Sequence, residues 1–344
     1  MTTTQQQPRP GPQRPVTATS PRAPGSVRRT TSIDVTWPDG LTGGAVVVLA
    51  GQDLVTDAGG RSTVRERWDA QVAVDARSGE VLGFDVDGHG GGTDGDRDGD
   101  PGVANLTDLV GAGLRSGFGR RLASVLSEES VSRSLRHSLL EDLAGAFLVS
   151  GYAPLRAGLF TADAAAARQL APLQADICAG WATGGPVHRS LAEGGRTAVP
   201  VGPAAPPIER DDPSGWHPLR PLGHGTVRRR RLLDVTPAPD GRGVRVHSHF
   251  RDSYTGEVPE MALHEYTVDA LVVDGAITGV EVDPRVLPWA ACPRAVASAG
   301  QVEGVAVAEV ARLARKELLG VATCTHLTST IRLLADVRAL MPRT

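Results

Sequence analysis

The sequence predicts an α+β fold made of two tandem copies of one unit, an antiparallel sheet followed by packed helices. Three observations point to it. Each half reads as strands first and helices second, an order that gathers helices on an antiparallel sheet instead of alternating them with parallel strands. The text of the first half also returns in the second: Val27-Arg28-Arg29 and Asp34-Val35-Thr36 recur as Val227-Arg228-Arg229 and Asp234-Val235-Thr236, an offset of 200. The echo then continues at smaller offsets, as a tandem repeat does after loop deletions.

Residues 1–26 are rich in Pro, Gln, Ser and Thr with almost no large apolar side chains, which predicts a disordered tail. The first copy, 27–191, opens on strand-type text around Ile33 and Val35, a Pro38-Asp39-Gly40 turn and the apolar run Ala45 to Ala50. Trp68-Asp69 through Asp87 lies ungapped on His264-Glu265 through Asp283, an offset of 196, and both stretches read as a hairpin. Asp87 to Gly102 carries alternate aspartates that imitate the start of a calcium loop. Asn105 stands where a bidentate Glu belongs, so a solvated loop is expected.

Leu109, Leu114, Leu122, Leu135, Leu139 and Leu143 predict helices over 107–150, and an Ala-rich helix is expected near 161–175. The Pro- and Gly-rich stretch 192–225 reads as an interdomain linker. The second copy, 226–344, repeats the strands. In it Pro293 follows Cys292 as a favoured first helical residue, and Gly320 marks a helix stop. Thr323 or Cys324 caps a last helix whose apolar face is Leu327, Ile331, Leu334, Val337 and Leu340. Leu135 to Leu139, with His137, falls opposite Cys324 to Thr328, an offset of 189.

Composition narrows the function. Among 344 residues, 36 basic side chains against 39 acidic ones leave a net charge of -3, which predicts neither a nucleic-acid track nor an anionic membrane surface. No apolar run approaches about eighteen residues, and the first residues are polar, so a cytoplasmic protein with no membrane partner is expected. The 3 cysteines, an odd count, favour thiol or metal chemistry over a disulfide framework.

Those cysteines define the candidate site. Cys292 and Cys324 both fall where a helix starts, and the unpaired N–H groups there stabilise a thiolate. His326 is two residues after Cys324, and His264 precedes a strand whose end can face the helix starts. His264, Cys292, Cys324 and His326 together have the composition of a tetrahedral zinc site, although no Cys-x-x-Cys knuckle is present. Glu265 or Asp283 would hold a ligand histidine's second nitrogen. The rival reading has two small buried cysteines and a helix-capping histidine.

His247 and His249 alternate beside Arg251-Asp252 and either line a pocket or form a solvated face, while Arg228 to Arg231 read as a solvated edge strand. Cys178 lies outside the matched text and is expected to be packing. The first copy keeps His137 but has Trp68 in place of His264 and no cysteine at its helix starts, so it should be empty.

The set His264-Glu265, Cys292-Pro293 and Cys324-Thr325-His326-Leu327-Thr328 resembles a bacterial family known as domain of unknown function 2889, whose members carry His-Asp, Cys and Gly-Cys-Thr-His-Leu in that order. The resemblance covers about residues 224–340, with a degenerate copy over about 27–190, and Ile177-Cys178-Ala179-Gly180-Trp181 looks like the family's tail. Glu265 replaces the family's Asp, and Ala322-Thr323 replaces its Gly. The resemblance implies no established activity. A weaker likeness, of layout alone, is to the iron–sulphur scaffold fold; it implies His264, Cys292 and Cys324 as ligands with Glu265 nearby. Histidine in place of that fold's first cysteine favours zinc or mononuclear iron.

The expectation is a metal-binding protein of undefined reaction, with Cys324 and Glu265 as its catalytic residues and the first copy packed as an intramolecular pseudo-dimer partner. One alternative is a cysteine nucleophile, Cys324 or Cys292, activated by His264 or His326 and acting on an acyl or thioester substrate. Another is a scaffold or interaction protein with two structural cysteines.

Overall fold

The repeated Val-Arg-Arg text forms the middle of one eight-stranded antiparallel sheet, with strand order β4-β3-β2-β1-β5-β6-β7-β8. The computed structural model describes residues 8–86, 106–159, 164–194, 198–256 and 259–341. Strands β1 (Val27–Thr36), β2 (Ala45–Thr56), β3 (Ser62–Val74) and β4 (Val81–Asp85) follow one another as hairpins. So do β5 (Val227–Pro237), β6 (Val244–Tyr254), β7 (Met261–Val273) and β8 (Ala276–Val286). The β7–β8 turn is Asp274-Gly275, both at positive φ (50° and 77°), the combination a two-residue hairpin turn demands.

The halves join where β1 pairs with β5. Thr31 stands opposite Arg231, and pairs on either side mirror each other: Val27 faces Val235 as Val35 faces Val227, and Arg28 faces Asp234 as Asp34 faces Arg228. This self-complementary register is that of an isologous interface, contained within one chain.

Charge pairs repeat the symmetry on both faces of the seam. On one face Arg28 donates to both oxygens of Asp234 (2.6 and 2.7 Å), and Arg228 to both oxygens of Asp34 (2.6 and 2.5 Å). On the helix face Arg29 clamps Asp53 and reaches Asp336 at 3.1 Å, while Arg229 clamps Asp252 and reaches Asp142 at 2.9 Å. Each arginine therefore holds an aspartate from its own half's sheet and one from the other half's helices. The expected solvated edge at Arg228 to Arg231 is not found. A strand paired on both sides has no edge, and these four arginines are buried, where charges persist only when paired.

Helices cover one face. In the first half these are α1 (Phe118–Val125), α2 (Ser127–Ser132), α3 (Leu135–Ser150), α4 (Tyr152–Arg156), α5 (Ala164–Gln174) and α6 (Pro186–Ala192), with a 3-10 turn at Ala179–Trp181. Ser134 caps α3 by accepting from the His137 amide at 3.1 Å. The second half has a 3-10 helix Cys292–Val302, α7 (Val307–Lys316), a 3-10 turn Gly320–Ala322, α8 (Thr325–Arg332), a 3-10 segment Leu333–Asp336 and α9 (Val337–Leu340). Leu327, Ile331, Leu334, Val337 and Leu340 are fully buried in one core with Phe250, Tyr266 and Val268, as their spacing predicts. Among the described residues no helix is long and apolar enough to cross a membrane.

The opposite face is covered by extended chain. Where composition predicts a disordered tail and a linker, residues 8–26 and 198–225 run across this face and take hydrogen bonds from it. The Arg14 amide donates to Arg285 O (2.8 Å), the Val16 amide to Glu265 Oε1 (3.0 Å) and the Ala205 amide to Glu260 O (2.7 Å). His217 sits between Thr30 and Ser32, its ring nitrogens 2.9 and 2.8 Å from their hydroxyls. Extended Pro-rich chain has no internal hydrogen bonds, so a sheet face can supply them. The acidic stretch Asp87 to Gly102, with its calcium-loop pattern, lies outside the described residues.

Candidate functional site

Strand alternation builds the site from both sides of the β6–β7 pairing. His264 stands opposite Asp252, and Tyr266 opposite Phe250, all four on the helix-facing side. The register shifts between Asp252 and Ser253, a bulge of the kind that re-aims a side chain beside a functional site. The first turn of α8 then lowers His326 onto His264. Their rings stack with centroids 3.6 Å apart and planes 14° from parallel.

His326 Nε2 lies 3.5 Å from Asp252 Oδ2, and donor atoms of Asp252, His264 and His326 all fall within 4.8 Å of one another. Among the described residues this is the group of three so disposed. Cys324, the N-cap of α8, places its sulfur 3.8 Å from His326 Nδ1.

Electrostatics keep the imidazoles neutral. Burial holds His264 down to about 4, with the Asp252 charge opposing that and Arg229 adding to it. Burial likewise pushes His326 well below its ordinary value, followed by the neighbouring His264 and by Arg229 and Arg231. A neutral imidazole is the form that ligates a metal or accepts a proton. Among the described residues the buried His264 Nδ1 has no hydrogen-bond partner. Asp252 is fixed by Arg229, which donates from Nε (2.8 Å) and Nη2 (3.0 Å), leaving further lone pairs on its oxygens. Burial raises the Cys324 thiol. Tyr266 and the backbone N–H groups of Leu327 and His326 pull the other way.

The structure redistributes the expected residues. His264, Cys324 and His326 come together. Cys292 is buried and lies with the part-buried Cys178 at the meeting of the 3-10 elements 179–181, 292–302 and 320–322. Glu265 is not in the site: on a strand the neighbour of an inward residue points outward, and Glu265 lies on the opposite face. There its Oε1 accepts from Arg251 at 2.9 Å and from the Val16 amide, with His249 Nε2 at 2.7 Å. Asp283 is at the strand edge, paired with Arg14 and Arg285.

Sequence reasoning missed Asp252 and Tyr266 as site residues. The signal was alternation, since Phe250 and Asp252 share the face opposite to Arg251. In the first half Asp53 takes the place of Asp252 beneath Arg29, and Arg65 Nη2 lies 2.8 Å from its Oδ2. His137 is buried there without a histidine partner among the described residues.

No curated protein and no solved structure matches the chain. Residues 227–340, from the first residue of β5 to the last of α9, match the family model described as "Protein of unknown function (DUF2889)", a stretch that contains Asp252, His264, Cys292, Cys324 and His326 and leaves the N-terminal half uncovered.

Proposed function

We propose that Asp252, His264 and His326 hold one divalent transition-metal ion, zinc or iron(II), with the Cys324 thiol beside it. The observation that carries this is the stacked pair of neutral imidazoles next to an anchored carboxylate, one of them with an unpartnered buried nitrogen. Two histidines and a carboxylate are the ligand set of open centres, which keep positions free for water or substrate. Arg229 is the outer partner that fixes the carboxylate, as such ligands require. The centre then supplies a polarised water or a site for a bound oxyanion, within reach of a thiol.

The test is metal analysis and titration of the purified chain. The expected result is one equivalent of zinc or iron(II) in the native protein, lost in His264→Ala and in Asp252→Asn. A native protein that takes up no more metal than those variants overturns the reading.

One alignment favours a second reading. Cys324 Sγ, His326 and Asp252 lie in series, with separations of 3.8 and 3.5 Å, the layout of a thiol nucleophile, its base and the group that orients the base. Metal-free protein with one fast-alkylating thiol, slowed by His326→Ala, would favour it.

The mirrored seam pairs support tandem duplication as the origin of the two halves, the first serving as a pseudo-dimer partner whose aspartate is held by Arg29 and Arg65.

A further inference from the structure

We propose that Cys178, Cys292 and Cys324 form a second, thiophilic cation subsite bordering the histidine–aspartate centre, suited to a soft d10 ion of the cuprous or zinc class. The match to the family begins at Val227, downstream of Cys178, but the fold carries Cys178 to the other two thiols. The Ala179 amide donates to Thr323 O at 2.9 Å, tying the Cys178 segment to the residue before Cys324. Gly180 then lets Cys292 in: a Cβ there would sit 3.0 Å from Cys292 Sγ and 3.9 Å from Cys178 Sγ, so a side chain would fill the space between the sulfurs.

The Tyr266 ring, fully buried, aims its hydroxyl at the Cys324 thiol. Three thiols, one of them faced by a buried phenol, are thus drawn together from four separate elements.

Sulfur ligands select cuprous and zinc ions over harder cations. Each thiol opposes ionisation of the others: burial pushes Cys178 up to about 11 with Cys324 adding to it, and the same two causes raise Cys292. One cation relieves that burial and that repulsion together. The three sulfurs are not yet all within 4.8 Å of one another. Cys178, only partly buried, is the member with room to turn, and an ion would enter from its side. The subsite includes Cys324, which lies beside the proposed centre, but does not need the histidines.

The experiment is titration of the reduced, metal-free chain with cadmium, followed by sulfur-to-cadmium charge-transfer absorption. One equivalent should give a band that Cys178→Ser and Cys292→Ser each lower by roughly one third, one sulfur of three. His264→Ala should leave that band unchanged while losing the divalent ion of the neighbouring centre, which keeps the two readings separable. Alkylation mapped by mass spectrometry provides a measurement on the unmutated protein: bound cadmium should protect all three cysteines. No thiolate band at one equivalent, a band unaffected by Cys178→Ser, or Cys178 alkylated at the same rate with and without cadmium overturns the proposal.

Discussion

His264 and His326 lie ring on ring, 3.6 Å between centroids, although they belong to a strand and to a helix separated by the whole of β8 and α7. Such a stack is unfavourable to protonate on either ring, and it leaves His264 Nδ1 buried without a partner. A group of this kind stabilises a fold only when something ligates it. His264→Leu is therefore expected to leave metal-free stability unchanged or improved, and to abolish stabilisation by zinc. For the native chain that stabilisation is about 3 kcal/mol at a zinc concentration one hundred times Kd. Denaturant titrations of both proteins, with and without zinc, check this; an equal zinc effect in the variant would rule out His264 as a ligand.

The seam makes a second prediction. Arg228 and Asp34 are buried and satisfy each other across β1 and β5, so removing one leaves the other charged and unpaired. Arg228→Met should cost about 3–5 kcal/mol, whereas adding Asp34→Leu to it should recover most of the loss. The mirror pair, Arg28 and Asp234, should respond to Arg28→Met by a similar amount, because Asp234 is then the orphan while Asp212 keeps Arg22. Urea midpoints of the three variants give the comparison.

Glu265 separates the sheet's two faces. Its Oε1 gathers His249, Arg251 and the Val16 amide, away from His264 despite being the next residue. Glu265→Gln should destabilise the chain by about 1–3 kcal/mol through the uncompensated Arg251 and leave zinc binding unchanged. A large drop in zinc affinity with unaltered stability would place Glu265 in the site after all.

Much of this was legible in the text, and what was not has physical reasons. Offsets of 200 and 196 foretold two hairpin sets, and helical spacing foretold the buried face from Leu327 to Leu340. They did not foretell that the two sets join as one sheet. Arginine at Arg28, Arg229 and Arg231 reads as solvated because its pairing partners, Asp234, Asp252 and Asp142, are remote in sequence. Likewise a proline-rich tail reads as disordered because its hydrogen-bond partners lie on β7 and β8 and not within itself. Residue type singled out His264, Cys324 and His326, which the fold brings side by side. Only period-two alternation, applied strictly, would have removed Glu265 and admitted Asp252.

The strap residue His217 gives a pH dependence. Burial, then the charges of Arg228, Arg67 and Arg230, hold its imidazole down to about 3, against 6.5 for the free side chain. Its ring nitrogens face the hydroxyls of Thr30 and Ser32, which can give or accept, so it is burial beside arginines that disfavours the charged form. The unfolded chain therefore binds a proton that the folded chain does not, over the window from 6.5 down to 3. The contribution of His217 is fully present above pH 6.5 and is lost as pH falls through that window, by about 1.4 kcal/mol per unit. Other buried histidines, among them His137, add slopes of the same sign, so the informative quantity is a difference. His217→Gln retains a group able to reach both hydroxyls but does not titrate. Its stability, measured by urea unfolding between pH 4 and 7, should fall less steeply than that of the native chain by about one proton's worth. Parallel curves for the two proteins would mean that the folded chain accommodates the charged imidazole.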